Sequence, residues 1–548
     1  MGSFVAAGLQ PAGRVGAGAV SGHRLRSVIA SVIPMVQELI TDRLLRSWLR
    51  CKRRAWLDRH GDPAARQWTA HRALALRDQL NSFQSLLPAK PGHGEAAAAA
   101  GAPGVIGLRL RSAARGLRLE AHPALLERVP GPSVWGNHAY RPVLGRQGRN
   151  LTREHRLLLA YWGRLLAERQ QAPVSHALVV AGEGRALQRE QLPIGGGLQR
   201  QLDEAVGKLA GDLRRSSPPP LVADRKKCVL CSWRGVCDRE AAATGHLSEV
   251  SGIGGKRREM LLELGIDTLP QLAGTDPAWL AEALAVHGEQ HREIAAQLVA
   301  QARVQAAGKP ERLALDPALA RGGPLPELAA APGVLLYDIE SDPDARDDFL
   351  HGFVLVRRGP DGSWPGADAE QMAAWRYVPL LARIEHGEQR LWQRLQALLG
   401  RYPDWPLLHY GETEAIAMVR LARRMGAGEA ELAALRRRLV DVHARLRQHW
   451  RLPVSSYGLK AVASWQGFRW SQSGVDGARC LLWWRQWRRD PQLGRRHLAR
   501  IFTYNRDDNL ATWAVACWLL DQARVGGATN AGGVEIDRDT PPSASRRG

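Results

Sequence analysis

Acidic residues with a regular spacing stand near both ends of the C-terminal part of the chain. Asp338 and Glu340 fall within the apolar segment GVLLYDIES, and Tyr504 and Asp508 precede the segment NLATWAVACWLL. Residues two apart on a strand share a face, and residues four apart on a helix are neighbours. Carboxylates gathered in this way suit divalent cations such as Mg²⁺ or Mn²⁺. The alternative is a solvated pair at a strand end, and the joint occurrence of both patterns favours the metal site.

D-x-E followed far downstream by Y-x3-D resembles the DEDD exonucleases of the RNase-H-like superfamily. The resemblance implies 3′–5′ exonuclease chemistry, in which Asp338, Glu340 and Asp508 hold two Mg²⁺ or Mn²⁺ ions and Tyr504 assists the attacking water. It also implies a middle carboxylate. The segment WPLLHYGETE predicts a strand running into a helix, so Glu414 is the first candidate and Glu412 the second.

Four cysteines form a second constellation. Cys228-x2-Cys231-x5-Cys237 is compact, and Cys51 lies far upstream in a basic helical segment. With six cysteines in 548 residues the chain is no disulfide scaffold, and the short spacing is typical of metal or cluster ligation. Four thiolates suit either Zn²⁺ or an iron–sulfur cluster. The competing interpretation is a set of ordinary buried thiols.

One early cysteine followed by C-x2-C-x5-C resembles the iron–sulfur staple of RecB-type nucleases. From about Ile40 to Leu520 the chain resembles bacterial RecB-like nucleases that carry a C-terminal RNase-H-like exonuclease domain. The resemblance implies a [4Fe–4S] cluster, with zinc as the alternative, and action on DNA in repair or recombination. It leaves RNA as a substrate open, as well as any helicase or repair partner.

The catalytic motif of a RecB-type nuclease is incomplete. His71 stands at the position of the family's metal-binding His, yet residues 91–201 contain no Asp and no Lys. The family's aspartate and lysine positions fall in the segments PALL (123–126) and YRPVLGR (140–146), with Glu120 and Glu127 as the nearest substitutes. Arginine replaces a titratable lysine poorly. We therefore predict a nuclease fold without cutting activity, in which His71 is structural.

A glycine-rich turn follows the cysteines. The segment VSGIGGKRREMLLELGI contains Gly252, Ile253 and Gly254, a spacing typical of a helix-hairpin-helix. Glycines allow close backbone approach to a phosphate, and the next helix directs free N–H groups at it. Gly252, Gly254, Lys256 and Arg257 are therefore the predicted nucleic-acid contacts. The alternative is a plain turn between packed helices.

The composition supports these interpretations. The chain has 76 basic and 54 acidic residues, a net charge of +22, and this excess favours a polyanionic partner such as nucleic acid. No apolar run reaches the ~20 residues of a membrane span, and the N-terminus lacks a secretory signal pattern. We therefore expect a cytoplasmic protein that does not enter a membrane.

The elements around these motifs predict a multidomain α/β protein. Its expected parts are a disordered leader (1–36), a RecB-type nuclease-fold domain of the PD-(D/E)xK kind (37–244), a small all-α helix-hairpin-helix module (245–305), a linker (306–332), an RNase-H-like domain with a mixed sheet and helices (333–525) and a disordered tail (526–548). The function predicted for the whole is a metal-dependent exonuclease. The rival is a non-catalytic iron–sulfur protein that binds nucleic acid and whose nuclease sites have decayed.

Overall fold

The computed structural model describes residues 38–531 except 71–72, 75–78, 80–82, 84–85, 147–149, 184–185, 223–224, 316–321, 344–346, 384–386 and 493. The expected leader and His71 therefore lie outside the described residues. The last helix continues to Ala531, which is within the segment expected to be a disordered tail, and the residues beyond it are outside the description.

The N-terminal region combines two sheets with helices. Its described elements are β1 (Leu39–Thr41), α1 (Asp42–Arg50), α2 (Lys52–His60), a 3₁₀ turn (Pro63–Ala65), β2 (Gly92–His93), α3 (Gly94–Ala99), β3 (Gly104–Ile106), β4 (Leu110–Ala114), β5 (Leu117–Ala121), β6 (Leu125–Ser133), β7 (Gly136–Arg146), α4 (Arg153–Gln170), β8 (His176–Glu183), β9 (Ala186–Pro193), α5 (Gly196–Leu213), a 3₁₀ helix (Arg225–Leu230) and α6 (Arg234–Thr244). The larger sheet has the order β2-β3-β6-β7-β8-β9, and the smaller has the order β1-β5-β4.

Helix α4 organises this region. Thr152 caps its first turn through a hydrogen bond from the backbone N–H of His155, which satisfies one of the helix's free donors. Its buried residues, including Leu158, Tyr161 and Leu165, pack into a core that also contains β4, β5 and β7. The helix joins β7 to β8, which are parallel neighbours, as a crossover connection between parallel strands requires.

The middle region is all-helical in its described residues. It comprises a 3₁₀ turn (Leu247–Glu249), α7 (Gly255–Glu263), α8 (Leu269–Gly274), α9 (Pro277–Ala285) and α10 (Glu289–Ala307). The apolar residues of the sequence motif, among them Leu247, Val250, Ile253 and Leu261, form its own core against Leu298 and Val299 of α10.

The C-terminal region is built on one mixed sheet. Its described elements, preceded by β10 (Glu311–Arg312) and a 3₁₀ turn (Pro326–Leu328), are β11 (Gly333–Asp342), β12 (Asp347–Arg357), α11 (Ala369–Ala373), β13 (Tyr377–Leu381), α12 (Glu388–Arg401), β14 (Leu407–His409), α13 (Glu412–Arg424), α14 (Glu429–Arg438), β15 (Leu439–Asp441), α15 (Val442–His449), β16 (Trp450–Arg451), α16 (Leu459–Trp465), α17 (Gly477–Arg489) and α18 (Arg495–Ala531). The strand order is β13-β12-β11-β14-β15, with β11 antiparallel to β12 and parallel to β14.

Side chains alternate across the central strand β11. Val334 and Leu336 pack toward α16 and α18, whereas Leu335 and Tyr337 pack toward α12, α13 and α14. This period of two carries Asp338 to the α18 face. The sheet is therefore covered on both sides, and the catalytic candidates lie where β11 meets the last helix.

The N-terminal and C-terminal regions share a hydrophobic cluster. Ala70 and Leu74 are buried in it with Phe349, Trp484 and Ile501. The rings of Phe349 and Trp484 stack at 4.3 Å. The two regions therefore pack against each other through a shared hydrophobic cluster.

Among the helices that the structure describes, none combines the length and apolar character needed to cross a bilayer.

Candidate active site

Three carboxylates converge at the end of the central strand. Asp338 and Glu340 extend from β11 and Asp508 from α18, and ligand oxygens of the three lie within 4.8 Å of one another. Glu340 and Asp508 are buried, at 6% and 8% exposure. Among the described residues, no other group of three or more carboxylate, His or Cys ligand atoms lies within 4.8 Å of one another. The structure therefore brings together the three residues predicted to hold divalent cations.

The three negative charges are poorly compensated. Burial, followed by the charge of Asp508, raises the pKa of Asp338 and that of Glu340 well above their usual range. Burial also raises the pKa of Asp508 to about 6, against the opposing effects of a hydrogen bond from Trp470 and of the nearby Lys460 ammonium. A hard divalent cation prefers oxygen donors, and its positive charge relieves the repulsion among the carboxylates. The donor set thus fits Mg²⁺ or Mn²⁺.

Neutral donors orient the carboxylates. Trp470 donates from Nε1 to Oδ1 of Asp508 at 2.6 Å, and Asn505 donates from Nδ2 to Oδ2 of Asp338 at 2.6 Å. Tyr377 in turn donates its hydroxyl to Oδ1 of Asn505 at 2.8 Å. These bonds fix the side-chain directions without neutralising the charge, which leaves the site prepared for a cation.

Gly352 makes room for this arrangement. It lies opposite Asp338 on the neighbouring strand β12, and a Cβ atom at this position would come within 1.6 Å of Oδ1 of Asn505. Any side chain at residue 352 would displace Asn505 from Asp338.

Tyr504 lies one turn before Asp508 on α18 and is buried, at 6% exposure. Burial raises the pKa of its phenol well above the usual range, with further contributions from the charges of Asp508 and Glu340. The Lys460 ammonium lies 4.7 Å from the ring centroid. Tyr504 therefore stays protonated and keeps a hydroxyl hydrogen that it can donate at the site.

Glu414 borders the triad, whereas Glu412 is exposed. The backbone turns from β14 into α13 at Gly411, where φ is +101°, and this turn directs Glu414 inward. Oε2 of Glu414 is buried without a hydrogen-bond partner in the described structure. Burial raises its pKa to about 7, with further contributions from Asp441 and Asp508. Glu414 is not among the ligand atoms that lie within 4.8 Å of one another. It is the candidate for the middle carboxylate and lies at the border of that group.

A mixed five-stranded sheet flanked by helices, with clustered carboxylates at its central strand, defines an RNase-H-like nuclease domain. Comparison with protein families agrees: the model of the family RNase_H_2, of the RNase H superfamily, matches residues 335–520. The predicted RNase-H-like C-terminal domain is confirmed. The superfamily indicates a nuclease-type hydrolase that acts on phosphodiester bonds of nucleic acid with divalent metals such as Mg²⁺. A search of curated proteins found no match.

The four cysteines of the second constellation meet at one place. Cys51 lies between α1 and α2, Cys228 and Cys231 lie at the end of the 3₁₀ helix 225–230, and Cys237 is buried in α6. Burial raises the pKa of Cys228 to about 11, and the charges of the other three cysteines contribute in the same direction. The four thiols are thus electrostatic neighbours. In the described structure they do not share the 4.8 Å spacing of the carboxylate triad.

The glycine-rich turn leads directly into helix α7. Gly252 has a φ of +90°, which favours glycine, and Gly254 caps α7. Lys256 is exposed. Arg257 instead donates from Nη1 to the carbonyl of Gly252 at 2.7 Å, so part of its guanidinium is used to hold the turn.

The N-terminal carboxylates are paired within the protein. Glu120 is 8% exposed, and its Oε2 accepts from Arg109 at 2.5 Å and contacts Arg111 at 3.4 Å. Glu127 accepts from Arg141 at 2.7 Å. Neither carboxylate belongs to a ligand group in the part of the chain that the structure describes.

Sequence reasoning missed several residues that shape the active site, namely Asn505, Trp470, Tyr377 and Gly352. Asn505 had a detectable signal, since it adjoins Tyr504 and lies three residues before Asp508. The other three come from separate segments, and no local pattern connects them with the carboxylates.

Proposed function

We propose that this protein is a metal-dependent exonuclease of the 3′–5′ type whose chemistry resides in the C-terminal domain, acting on DNA in repair or recombination. The observation that carries the proposal is the buried triad of Asp338, Glu340 and Asp508, whose oxygens lie within 4.8 Å. A buried cluster of like charges is costly unless a cation joins it. Such a cluster is therefore a better candidate for function than for stability.

Each residue of the site has a role in this proposal. Asp338, Glu340 and Asp508 would hold divalent ions, with Glu414 at their border. When bound, the metals would lower the pKa of an attacking water and stabilise the leaving oxygen. The chain's own contribution is orientation: Asn505 and Trp470 hold two of the carboxylates. Tyr504, protonated at neutral pH, would position the water by donating or accepting a hydrogen bond.

The test is digestion of labelled single-stranded DNA, duplex DNA and RNA by purified protein with Mg²⁺, with Mn²⁺ and with EDTA. Stepwise shortening from the 3′ end that requires metal supports the proposal. Products that do not depend on metal, or no product with any substrate, contradict it.

For the N-terminal region we propose a RecB-type nuclease fold retained without cutting activity. The hairpin β6–β7 followed by α4 and the parallel strand β8 is the arrangement that supports this. The carboxylates nearest the expected site, Glu120 and Glu127, are occupied by arginines. Arginine cannot supply the titratable amine of the family's lysine.

At the four cysteines we propose a [4Fe–4S] cluster that ties Cys51 to the distant segment 228–237. Four thiolates on one Zn²⁺ at about 2.3 Å lie within about 4 Å of each other. The preference for a cluster over zinc rests on the resemblance of Cys51 and the C-x2-C-x5-C pattern to the iron–sulfur staple of RecB-type nucleases. The cluster would close a very long loop, which constrains the unfolded chain.

The cluster is tested on the purified protein. A brown protein absorbing near 400 nm, with about four irons per chain, supports it. Stoichiometric zinc without that absorbance supports the zinc alternative. Cys51→Ser is expected to lose the absorbance and to melt at a lower temperature, and Cys517→Ser is the control, because Cys517 lies in α18 away from the other thiols.

We further propose that the segment 245–305 is a helix-hairpin-helix module that binds phosphates without reading sequence. The N-terminus of α7 beside Gly252 and Gly254, with Lys256 exposed, supports this. Such contacts go to the backbone and carry no base identity.

The rival function is a non-catalytic protein that binds nucleic acid. It would be favoured if both middle-position glutamates pointed away from the triad. Glu414 is instead buried and interacts electrostatically with Asp508, so the catalytic proposal is preferred.

A further inference from the structure

A groove of about 800 Å³ lies beside the outer edge strand of the C-terminal sheet. Its walls come from β13, α12, the end of α17 and the start of α18. β13 is the edge of the sheet, and Pro379 in this strand has no N–H to offer a further strand. The groove is therefore suited to a ligand and not to extension of the sheet.

The charge of this groove is positive. Arg383, Arg394 and Arg495 line it, and none of the described lining residues is Asp or Glu. All three arginines are exposed. Among the ion pairs of the described residues none involves these three, although Arg394 has a 3.4 Å contact with the carbonyl of Pro379. Their guanidinium groups are available for anions such as phosphates.

Aromatic rings stand between the arginines. Trp487 and Phe502 line the same groove and are half-buried. The turn from α17 to α18 sets the position of Trp487, because Gly494 packs so closely that a Cβ atom there would come within 2.7 Å of the tryptophan's Cα. Trp487 also stacks on the buried Trp484, with centroids 5.1 Å apart. One ring is thus held rigidly at the wall of a basic groove.

The groove adjoins the carboxylate site. The ring of Phe502 lies 6.4 Å from that of Tyr377, and Tyr377 is hydrogen-bonded to Asn505, which holds Asp338. A chain of direct contacts therefore leads from the groove wall to the proposed metal ligands.

We propose that this groove binds a single-stranded segment of nucleic acid, with bases against Trp487 and Phe502 and phosphates on Arg383, Arg394 and Arg495. Aromatic rings between cations are the usual means of holding unpaired strands, since stacking requires exposed base faces. A duplex keeps its base faces covered. The inference rests on the proposed function only in placing the strand next to the nuclease site, because binding itself needs no metal.

The test is fluorescence anisotropy of a labelled 20-nucleotide single strand in EDTA, where no digestion takes place. The double variant Arg383→Ala/Arg495→Ala is expected to bind about tenfold or more weakly, and to lower the magnitude of the slope of log affinity against log salt by about 1.4, which is about 0.7 for each lost phosphate contact. Phe502→Leu keeps apolar bulk but removes the stacking face, and is expected to lose about fivefold or more.

The control double variant is Arg312→Ala/Arg437→Ala, which removes two exposed arginines outside the groove lining. Equal losses in both double variants would overturn the inference, because charge alone would then explain binding. Wild-type protein that binds no single strand would overturn it too. Binding that is lost in the groove variants, in a protein that digests nothing with metal, would support the groove and contradict the exonuclease.

Discussion

Buried acidic residues have opposite electrostatic surroundings in the N-terminal region and in the C-terminal domain. In the N-terminal region Glu120 accepts hydrogen bonds from Arg109 and Arg111, and its pKa is lowered because these bonds outweigh burial. In the C-terminal domain burial raises the pKa values of Asp338, Glu340 and Asp508, and the charge of Asp508 adds to the effect at the other two.

The difference separates structural carboxylates from functional ones. A carboxylate whose charge the fold already balances gains little from a metal. Clustered carboxylates whose charge the fold balances only in part lower stability until a cation binds.

The largest effect is expected from Asp338→Asn, which removes a negative ligand while it keeps the side-chain shape. Nuclease activity should fall by roughly two orders of magnitude or more, because the metals lose a shared ligand. Binding of nucleic acid should persist, since basic groups outside the triad hold phosphates. Digestion and anisotropy assays on the same preparation check this, and a variant that digests at the wild-type rate would remove the basis of the comparison.

Divalent metal should stabilise the wild-type protein. At a Mg²⁺ or Mn²⁺ concentration about a hundred times the Kd, the gain in free energy of unfolding is about 2.7 kcal/mol. Thermal melts with metal and with EDTA measure it. Asp508→Asn should lose most of the gain, whereas Glu120→Gln should retain it, and the same gain in both variants would place the metal elsewhere.

The helical module contains a buried titratable base. His246 is 8% exposed, and burial followed by the charges of Arg258 and Arg225 lowers its pKa to about 4. Because the folded pKa lies below the unfolded value of about 6.5, the stability contributed by neutral His246 is complete above pH 6.5. It is lost as the pH falls toward 4, by up to about 3 kcal/mol.

Denaturant titrations from pH 7.5 to 4 check this dependence. His246→Asn keeps a side-chain acceptor for the backbone N–H of Ser248, which now bonds Nδ1 of His246, and it should flatten that part of the curve. A variant with an unchanged pH profile would show that His246 does not titrate as described.

The smallest effect is expected from Glu120→Gln. Nuclease activity should be unchanged, because this carboxylate holds an internal pair and no metal. The free energy of unfolding should fall by no more than about 1 kcal/mol, since Arg109 and Arg111 are more than half exposed. A large loss of activity in a folded variant would reveal a working N-terminal site.

The sequence predicted the parts of the site that local periodicity controls. Asp338 and Glu340 share a strand face, and Tyr504 and Asp508 share a helix face, as the spacing within each pair indicates. That the two pairs meet was implied by the resemblance to DEDD exonucleases. It did not predict Trp470 or Tyr377, since tertiary packing brings them to the site from separate segments. Gly352 could not be foreseen either, because its role depends on the Asn505 side chain reaching across from another element.

The middle carboxylate shows the same limit. The strand and helix around Glu414 followed from the sequence, but the choice between Glu412 and Glu414 depends on the direction in which the first turn of α13 points. The positive φ of Gly411 sets that direction. The domain boundaries remain predictions, and so does the resemblance to RecB-type nucleases.

A few residues connect the cysteines with the RNase-H-like domain. Gln67 donates its backbone N–H to the carbonyl of Ser232, beside Cys231, at 2.8 Å. Trp68 lies against the guanidinium of Arg479 at 3.8 Å, and Leu74 is buried in the cluster that contains Phe349 and Trp484. The smallest autonomous folding unit is therefore larger than the segment that matches the RNase H superfamily. Expressed alone, that segment would expose an apolar face to water. In the intact chain, the region around the cysteines and the C-terminal domain should unfold in one cooperative transition.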